Sequence, residues 1–184
     1  MRQLMLFLAA FALVTALAAA TLVSPEQAPA GERRASAGTY LIGQIHRQRL
    51  ETWRWQRLLR RPLSPISKKL TVRSGGPEYR RWVLSLWAQR VRKLRRLAAN
   101  PPRKRAWLCI HRHEGPWNDA GGPYYGGLQM DLAFQRRYGF DLLRRRGTAD
   151  NWTPLEQIWV AERAYRSGRG FHPWPSTARR CGLL

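Results

Sequence analysis

Between Pro77 and Ala99 the apolar residues Tyr79, Trp82, Val83, Leu86, Trp87, Val91, Leu94 and Leu97 recur at helical spacing, and Arg80, Arg81, Arg90, Arg92, Lys93, Arg95 and Arg96 fill most of the places between them. That pattern predicts a basic amphipathic helix. A looser version of the same period, carried by Leu41, Ile45, Thr52, Trp55 and Leu59, predicts a helix over 39–61 that Pro62 stops. The stretch RPLSPISKKLTVRSGGP between them reads as a loop, and Asn100-Pro101-Pro102 breaks the chain again, which predicts a domain boundary there.

Beyond the prolines the punctuation becomes sharper. Residues 103–114 have helical periodicity and stop at Gly115-Pro116, the usual order for a C-terminal helix end. WNDAGGPYYGGLQ is too rich in glycine and aromatics for a helix and predicts a tight turn or short hairpin. Asp131 is placed to cap a helix from Leu132 to about Tyr138, with a further turn or two over 140–146. Thr153-Pro154-Leu155-Glu156 is a capping box with proline in the first helical place, so a helix should start there and run to about Ser167. Its inner face is expected to be Leu155, Ile158, Trp159, Ala161 or Glu162, and Tyr165; GFHPWPSTARRCGLL reads as an irregular tail.

Composition adds a core and a compartment. With 184 residues, 44% apolar content and nine Trp, the chain has enough material for one ordinary domain or a small one with an extension. Residues 1–23 begin with a short basic region, continue as an apolar stretch and end in small residues, the pattern of a signal peptide; left uncut, Leu4 to Val23 is long enough to span a bilayer. Residues 24–38, with two prolines and two glycines spread through them and no periodicity, read as a linker, 39–102 as a basic helical extension, and 103–184 as a separate C-terminal domain. The net charge of +22 is lopsided: 21 basic against 4 acidic residues lie over 24–106, and 11 against 7 over 107–184. Such an excess attracts polyanions of every kind and names none.

Two cysteines, Cys109 and Cys181, in an exported chain are expected to pair as a disulfide, the alternative being two unrelated thiols. Closing a loop of that size contributes roughly 4 kcal/mol in the chain-entropy picture. The chemistry candidate is Glu114, the last residue of its helix. There the helix dipole disfavours the ionised carboxylate, and aromatic cover from Trp117, Tyr124 and Tyr125 would act in the same direction, with Arg112, His111 and His113 opposing it. A carboxylic acid that keeps its proton is what a glycosidase needs to protonate a leaving sugar oxygen. The plainer alternative is one more solvent-facing acid among arginines. The candidates for a second carboxylate are Asp119, Asp131 and Asp141, of which Asp119 and Asp131 have local structural roles open to them, in a glycine-rich turn and at a helix cap. His111 and His113, two apart on a helix, point to opposite sides and do not make a metal pair; no metal and no cofactor is expected.

CIHRHEGPWNDAGGPYYGGLQMD, the TPLEQIWVAERA helix and the PWPSTARRCGL ending together resemble the catalytic domain of the resuscitation-promoting factors, transglycosylase-like relatives of lysozyme that act on bacterial peptidoglycan. The resemblance covers about residues 107–184. It implies an α+β, mainly helical, lysozyme-like fold, Glu114 as general acid/base, and Tyr125, Gly127 and Gln129 along a glycan groove that Trp174 would bound; Trp117 and Tyr124 are the further candidates for substrate contact. It also implies single-carboxylate chemistry, the substrate's own N-acetyl group helping at the anomeric carbon. The family usually has its half-cystine immediately before the catalytic Glu, whereas Cys109 lies five residues before Glu114, about one helical turn further back. The resulting expectation is a secreted or wall-associated enzyme, lytic transglycosylase or muramidase, cleaving the β-1,4 bond between N-acetylmuramic acid and N-acetylglucosamine. Its partners would be glycan strands, with anionic wall polymers or a membrane surface for the basic extension. The rivals are a non-catalytic glycan-binding module and a basic nucleic-acid-binding protein.

Overall fold

The computed structural model describes residues 30–66 and 69–184, so the apolar N-terminal segment expected as a signal peptide or anchor lies outside the described residues. Among the described residues no helix is long and apolar enough to cross a membrane. The chain divides into two units, Met1–Ala37 and Gly38–Leu184. Of the first, the start of helix α1 is what is described, and the remainder of this section concerns the second.

The protein is mainly helical. α1 (Ala30–Leu58), α2 (Lys69–Ser74) and α3 (Pro77–Ala99) precede α4 (Lys104–Glu114); a hairpin of two-residue strands, β1 (Tyr124–Tyr125) and β2 (Met130–Asp131), then leads into α5 (Leu132–Arg146), α6 (Pro154–Ala164) and α7 (Pro175–Arg180). The strands pair antiparallel, Tyr124 opposite Asp131 and Tyr125 opposite Met130. α1 begins at Ala30, inside the stretch expected to be linker, and ends at Leu58 rather than Arg61. The stop is made before Pro62: Arg60 takes a left-handed conformation (φ 51°), and the Arg61 and Arg60 amides donate back to Gln56 O and Arg57 O. That is the two-bond Schellman ending, here on an arginine instead of a glycine.

On α3 the apolar stripe narrows to Val83, Trp87, Val91, Leu94 and Ala98, while Trp82 and Leu97 remain exposed. Ile45 of α1 meets Val83 and Trp87 in one small cluster, and the rest of the core is larger and lies further along the chain. That larger core gathers Trp107 and Ile110 of α4, Leu128 and Met130 of the hairpin, Phe134, Tyr138 and Leu142 of α5, most of α6, and Phe171, Trp174 and Ala178. Leu58 of α1 belongs to it as well.

The expected boundary at Pro101-Pro102 is therefore not a boundary between compact units: it is a bend inside Gly38–Leu184. Trp159 Nε1 donates to Ala98 O at 2.8 Å, Arg163 Nη2 to Leu58 O at 2.8 Å, and Arg54 pairs with the buried Glu156 at 3.3 Å. Prolines end a helix for backbone reasons, and that end separates domains only if few contacts cross it. α6 also departs from expectation. It starts on the Thr153–Glu156 capping box with Pro154 at its first position. It is buried nearly all round, however, from Glu156 to Glu162, because other helices surround it. Glu162, fully buried, is matched to that place by Trp107 Nε1 at 2.8 Å, Arg103 N at 3.1 Å and Arg103 Nη1 at 3.0 Å, which satisfy a carboxylate that could not otherwise be there.

Candidate active site

Glu114 ends α4, half-buried, with Gly115 following as the cap. Its Oε1 accepts a 2.7 Å hydrogen bond from Thr177 Oγ1 of α7. α7 is also tied to α4 by the Cys109–Cys181 disulfide, Cα to Cα 6.0 Å. Since Cys109 precedes Glu114 on α4 and Cys181 follows Thr177 on α7, the two helices run antiparallel, with the covalent bond at one end and the Glu114–Thr177 bond at the other. The tail expected to be irregular is thus a short helix whose purpose at this place is to hold the end of α4. The half-cystine one turn back from the family's usual position still finds its partner.

The hairpin closes in from the other side. A Cβ on Gly115 would lie 3.3 Å from both Asp119 Oδ2 and Gln129 Nε2, which puts those two groups next to Glu114. Gln129 Nε2 donates to Asp119 Oδ2 at 2.8 Å and to Gly126 O at 3.0 Å, and Asp119 Oδ1 accepts the Gly121 amide at 3.0 Å. Both Asp119 oxygens are engaged in bracing the turn. Gln129 itself sits at φ 46°, a conformation costly for a residue with a Cβ and persistent only where its surroundings enforce it.

Glycine is needed at two places in this loop. Gly126 (φ 72°) faces the Gln157 amide so closely that a Cβ would come within 2.5 Å of Oε1. A Cβ on Gly127 would fall 2.6 Å from His111 Nδ1 and 2.7 Å from the Trp117 ring. Trp117 and His111 stack at 3.8 Å between centroids, His111 Nδ1 lies 3.1 Å from Gly127 O, and Gln157 Nε2 donates to Trp117 O at 2.8 Å. Trp117 is thereby half-buried and committed to the loop, with one ring face covered by imidazole. Tyr124 is exposed, Tyr125 is half-buried with its hydroxyl over Gly122, and Gln129 is half-buried.

Trp174 is a core side chain that also borders a cleft: its ring is buried against Trp107 and Phe134, and its Nε1 donates to Leu128 O at 2.6 Å. That cleft, about 310 Å³, is bordered by Tyr124, Gln129, Asp131, Phe134 and Trp174 together with Arg137 and Arg169. Glu114 is not on its lining; Gln129 connects the two places. Of the expected site residues the structure sets Gln129 against Gly115, the residue after Glu114, packs Gly127 against Trp117, and places Tyr124 and Trp174 on the cleft. Thr177 and the two arginines were not foreseen, because nothing local marks a threonine or an arginine as the partner of a group distant in sequence, 63 residues away in the case of Thr177 and Glu114.

The other acids whose side chains are described have fixed employments. Glu51, Glu78, Asp141, Glu156 and Glu162 form ion pairs with arginines, Asp119 and Asp131 accept from backbone amides, and Asp150 accepts from Asn151. Glu114 alone among them is held by a single neutral hydroxyl. Among the described residues, Cys109, His113 and Cys181 form the one grouping of potential metal ligands, and with the two sulfurs bonded to each other the imidazole is its remaining donor. Compared with known proteins, the chain matches no family model, and no curated protein resembles it closely enough to count as a relative.

Proposed function

We propose that this chain is an exported peptidoglycan-cleaving glycosidase with a lysozyme-like C-terminal part, in which Glu114 is the single general acid/base. One observation carries the reading: in a chain of net charge +22, where the other described acids have arginine or amide partners, a half-buried glutamate at the blunt end of α4 is positioned by one hydroxyl and flanked by a braced glycine-rich hairpin. A solvent-facing acid of no consequence has no reason to be oriented from a second, disulfide-linked helix.

In the proposed reaction the Glu114 carboxyl gives its proton to the glycosidic oxygen as the bond to the muramic anomeric carbon breaks. The substrate's N-acetyl oxygen supports the carbon as charge develops, so no second protein carboxylate is required. The resulting Glu114 carboxylate then takes a proton from the incoming nucleophile. If that is the sugar's own C6 hydroxyl, a 1,6-anhydro end forms; if it is water, a reducing end forms.

Purified peptidoglycan digested with the wild-type chain and with Glu114→Gln tests this. Soluble muropeptides are expected from the former, with at least a hundredfold slower release by the variant, and mass spectrometry of the ends distinguishes transglycosylation from hydrolysis. Equal release by both proteins, or none by either, refutes the role of Glu114.

A further inference from the structure

The cleft bordered by the hairpin, the first turns of α5 and the turn after α6 has walls that are mostly apolar or neutral, with Phe134, Trp174, Tyr124 and Gln129 among them. Two guanidinium groups break that pattern. Arg137 comes from α5 and Arg169 from the turn after α6; both are exposed and neither is in an ion pair. Arg54, Arg103, Arg145, Arg146, Arg163 and Arg166 in the same compact unit each pair with a carboxylate, whereas Arg137 and Arg169 share with Arg136 and Arg144 the lack of an ion pair and differ from them in bordering this cleft. The acid on the cleft wall, Asp131, has Oδ1 on the Phe134 amide at 2.6 Å and does not pair with Arg137.

Both arginines border one cleft, Arg137 lies 5.5 Å from the Tyr138 ring centroid, and the charges of both draw the Tyr138 hydroxyl below its ordinary value. Two like charges on one cleft, neither of them in an ion pair, repel each other, and an anion bound in that cleft relieves both. The planar guanidinium fork matches a carboxylate with two parallel hydrogen bonds, a geometry that lysine does not offer.

We propose that Arg137 and Arg169 form a carboxylate-recognising subsite on this cleft, which takes the acidic substituent of a glycan chain and makes the protein prefer a muramic-type strand to a neutral one. The identification of the glycan rests on the function proposed above. Gln129 gives the link, since it stands both on the cleft and beside Gly115, so a strand lying along the cleft leads toward Glu114. The acidic group contributes a polar anchor, and the apolar sugar faces have Tyr124 and Phe134.

The test uses the full chain carrying Glu114→Gln, so that ligand is not turned over, and calorimetric titration at physiological salt with two soluble tetrasaccharides of alternating N-acetylglucosamine and N-acetylmuramic acid. One has free lactyl carboxylates and the other has them as methyl esters. The acid is expected to bind about tenfold more tightly than the ester, the scale of one charge-assisted hydrogen bond. Arg137→Gln with Arg169→Gln should abolish that ratio, and Arg137→Lys with Arg169→Lys should restore part of it. Equal affinity for acid and ester, no binding of the acid, or a ratio that survives the double glutamine variant overturns the subsite; the last result would assign the preference to the general positive charge of the chain. If peptidoglycan digestion proves independent of Glu114 while the ratio behaves as expected, the enzymatic reading falls and the subsite stands. If digestion requires Glu114 and acid and ester bind alike, the subsite alone falls.

Discussion

Replacing Cys109 and Cys181 together by serine is expected to reduce both stability and the order of the site. The cross-link joins residues 72 apart. In the chain-entropy picture such a loop removes about 15 cal/mol/K from the unfolded ensemble, or about 4 kcal/mol at room temperature. Set against a total of roughly 5–15 kcal/mol for a typical domain, that is a large share. For a compact unit of this size, about 2–4 °C of melting temperature corresponds to each kcal/mol, so the double variant should melt roughly 10–15 °C lower. The loss should also be local. α7 spans only Pro175–Arg180, too short to persist on its own propensity, and the disulfide is one of its two fastenings to α4. Freed at Cys181, it would hold Thr177 less firmly, and peptidoglycan digestion should fall at temperatures where the fold is still intact. Circular dichroism melts of the oxidised protein, of the protein in reductant and of the double serine variant, with digestion rates taken well below each midpoint, measure both effects. A midpoint within about 3 °C of the oxidised protein in both altered forms would refute the reasoning, for it would mean that packing alone fixes α7 and that the loop closure contributes little.

Thr177→Val keeps the shape of the side chain and removes the hydrogen bond to Glu114 Oε1; in the proposed reaction Thr177 is a positioning residue, so kcat on peptidoglycan should fall roughly tenfold, the worth of one such bond, with KM nearly unchanged, and Thr177→Ser should recover the rate. A parallel rise in KM would point instead to damage of the binding surface. Tyr138 supplies a pH signature. Burial of its ring pushes the phenol up, but the Ser167 hydrogen bond and the neighbouring guanidinium groups of Arg169 and Arg137 outweigh it, and the hydroxyl is held below its ordinary value. A phenol lowered in the folded state favours folding most above the unfolded value near 10, and that contribution is lost as the pH falls through the folded value. Ultraviolet absorbance should therefore show one tyrosine ionising ahead of the others, absent in Tyr138→Phe and shifted back upward in Arg169→Gln; a single common titration in the wild type would contradict it.

Much of the local framework was legible without coordinates. The capping box at Thr153, the Asp131 cap donating order to α5 through Phe134 N, the stop after Glu114, the short hairpin and the pairing of Cys109 with Cys181 all occur. The first four are decided by groups within a few residues of each other, because an orphaned helix amide or a turn glycine is satisfied by its own neighbours in sequence. The kink that divides α5 was also foreshadowed: Gly139 has non-helical angles there, between the two helical stretches that the periodicity separates.

What depended on the tertiary structure is of another kind. The family resemblance implied a groove bounded by Trp174, with Trp117 as a further candidate, but only packing decided that the first is a core ring bonded to Leu128 and that the second lies against His111. The prolines at 101 and 102 stop a helix whether or not a domain ends there, and the contacts of Arg163, Trp159 and Arg54 across that point made one unit of both sides. The sequence by itself determined where α4 ends, where α5 and α6 begin, and which acid stands at a blunt helix end, since those depend on short-range backbone hydrogen bonding. That Thr177 meets Glu114, and that two unpaired arginines share one cleft, was settled by the fold alone, because a side chain carries no local mark of the partner that long-range packing will bring to it.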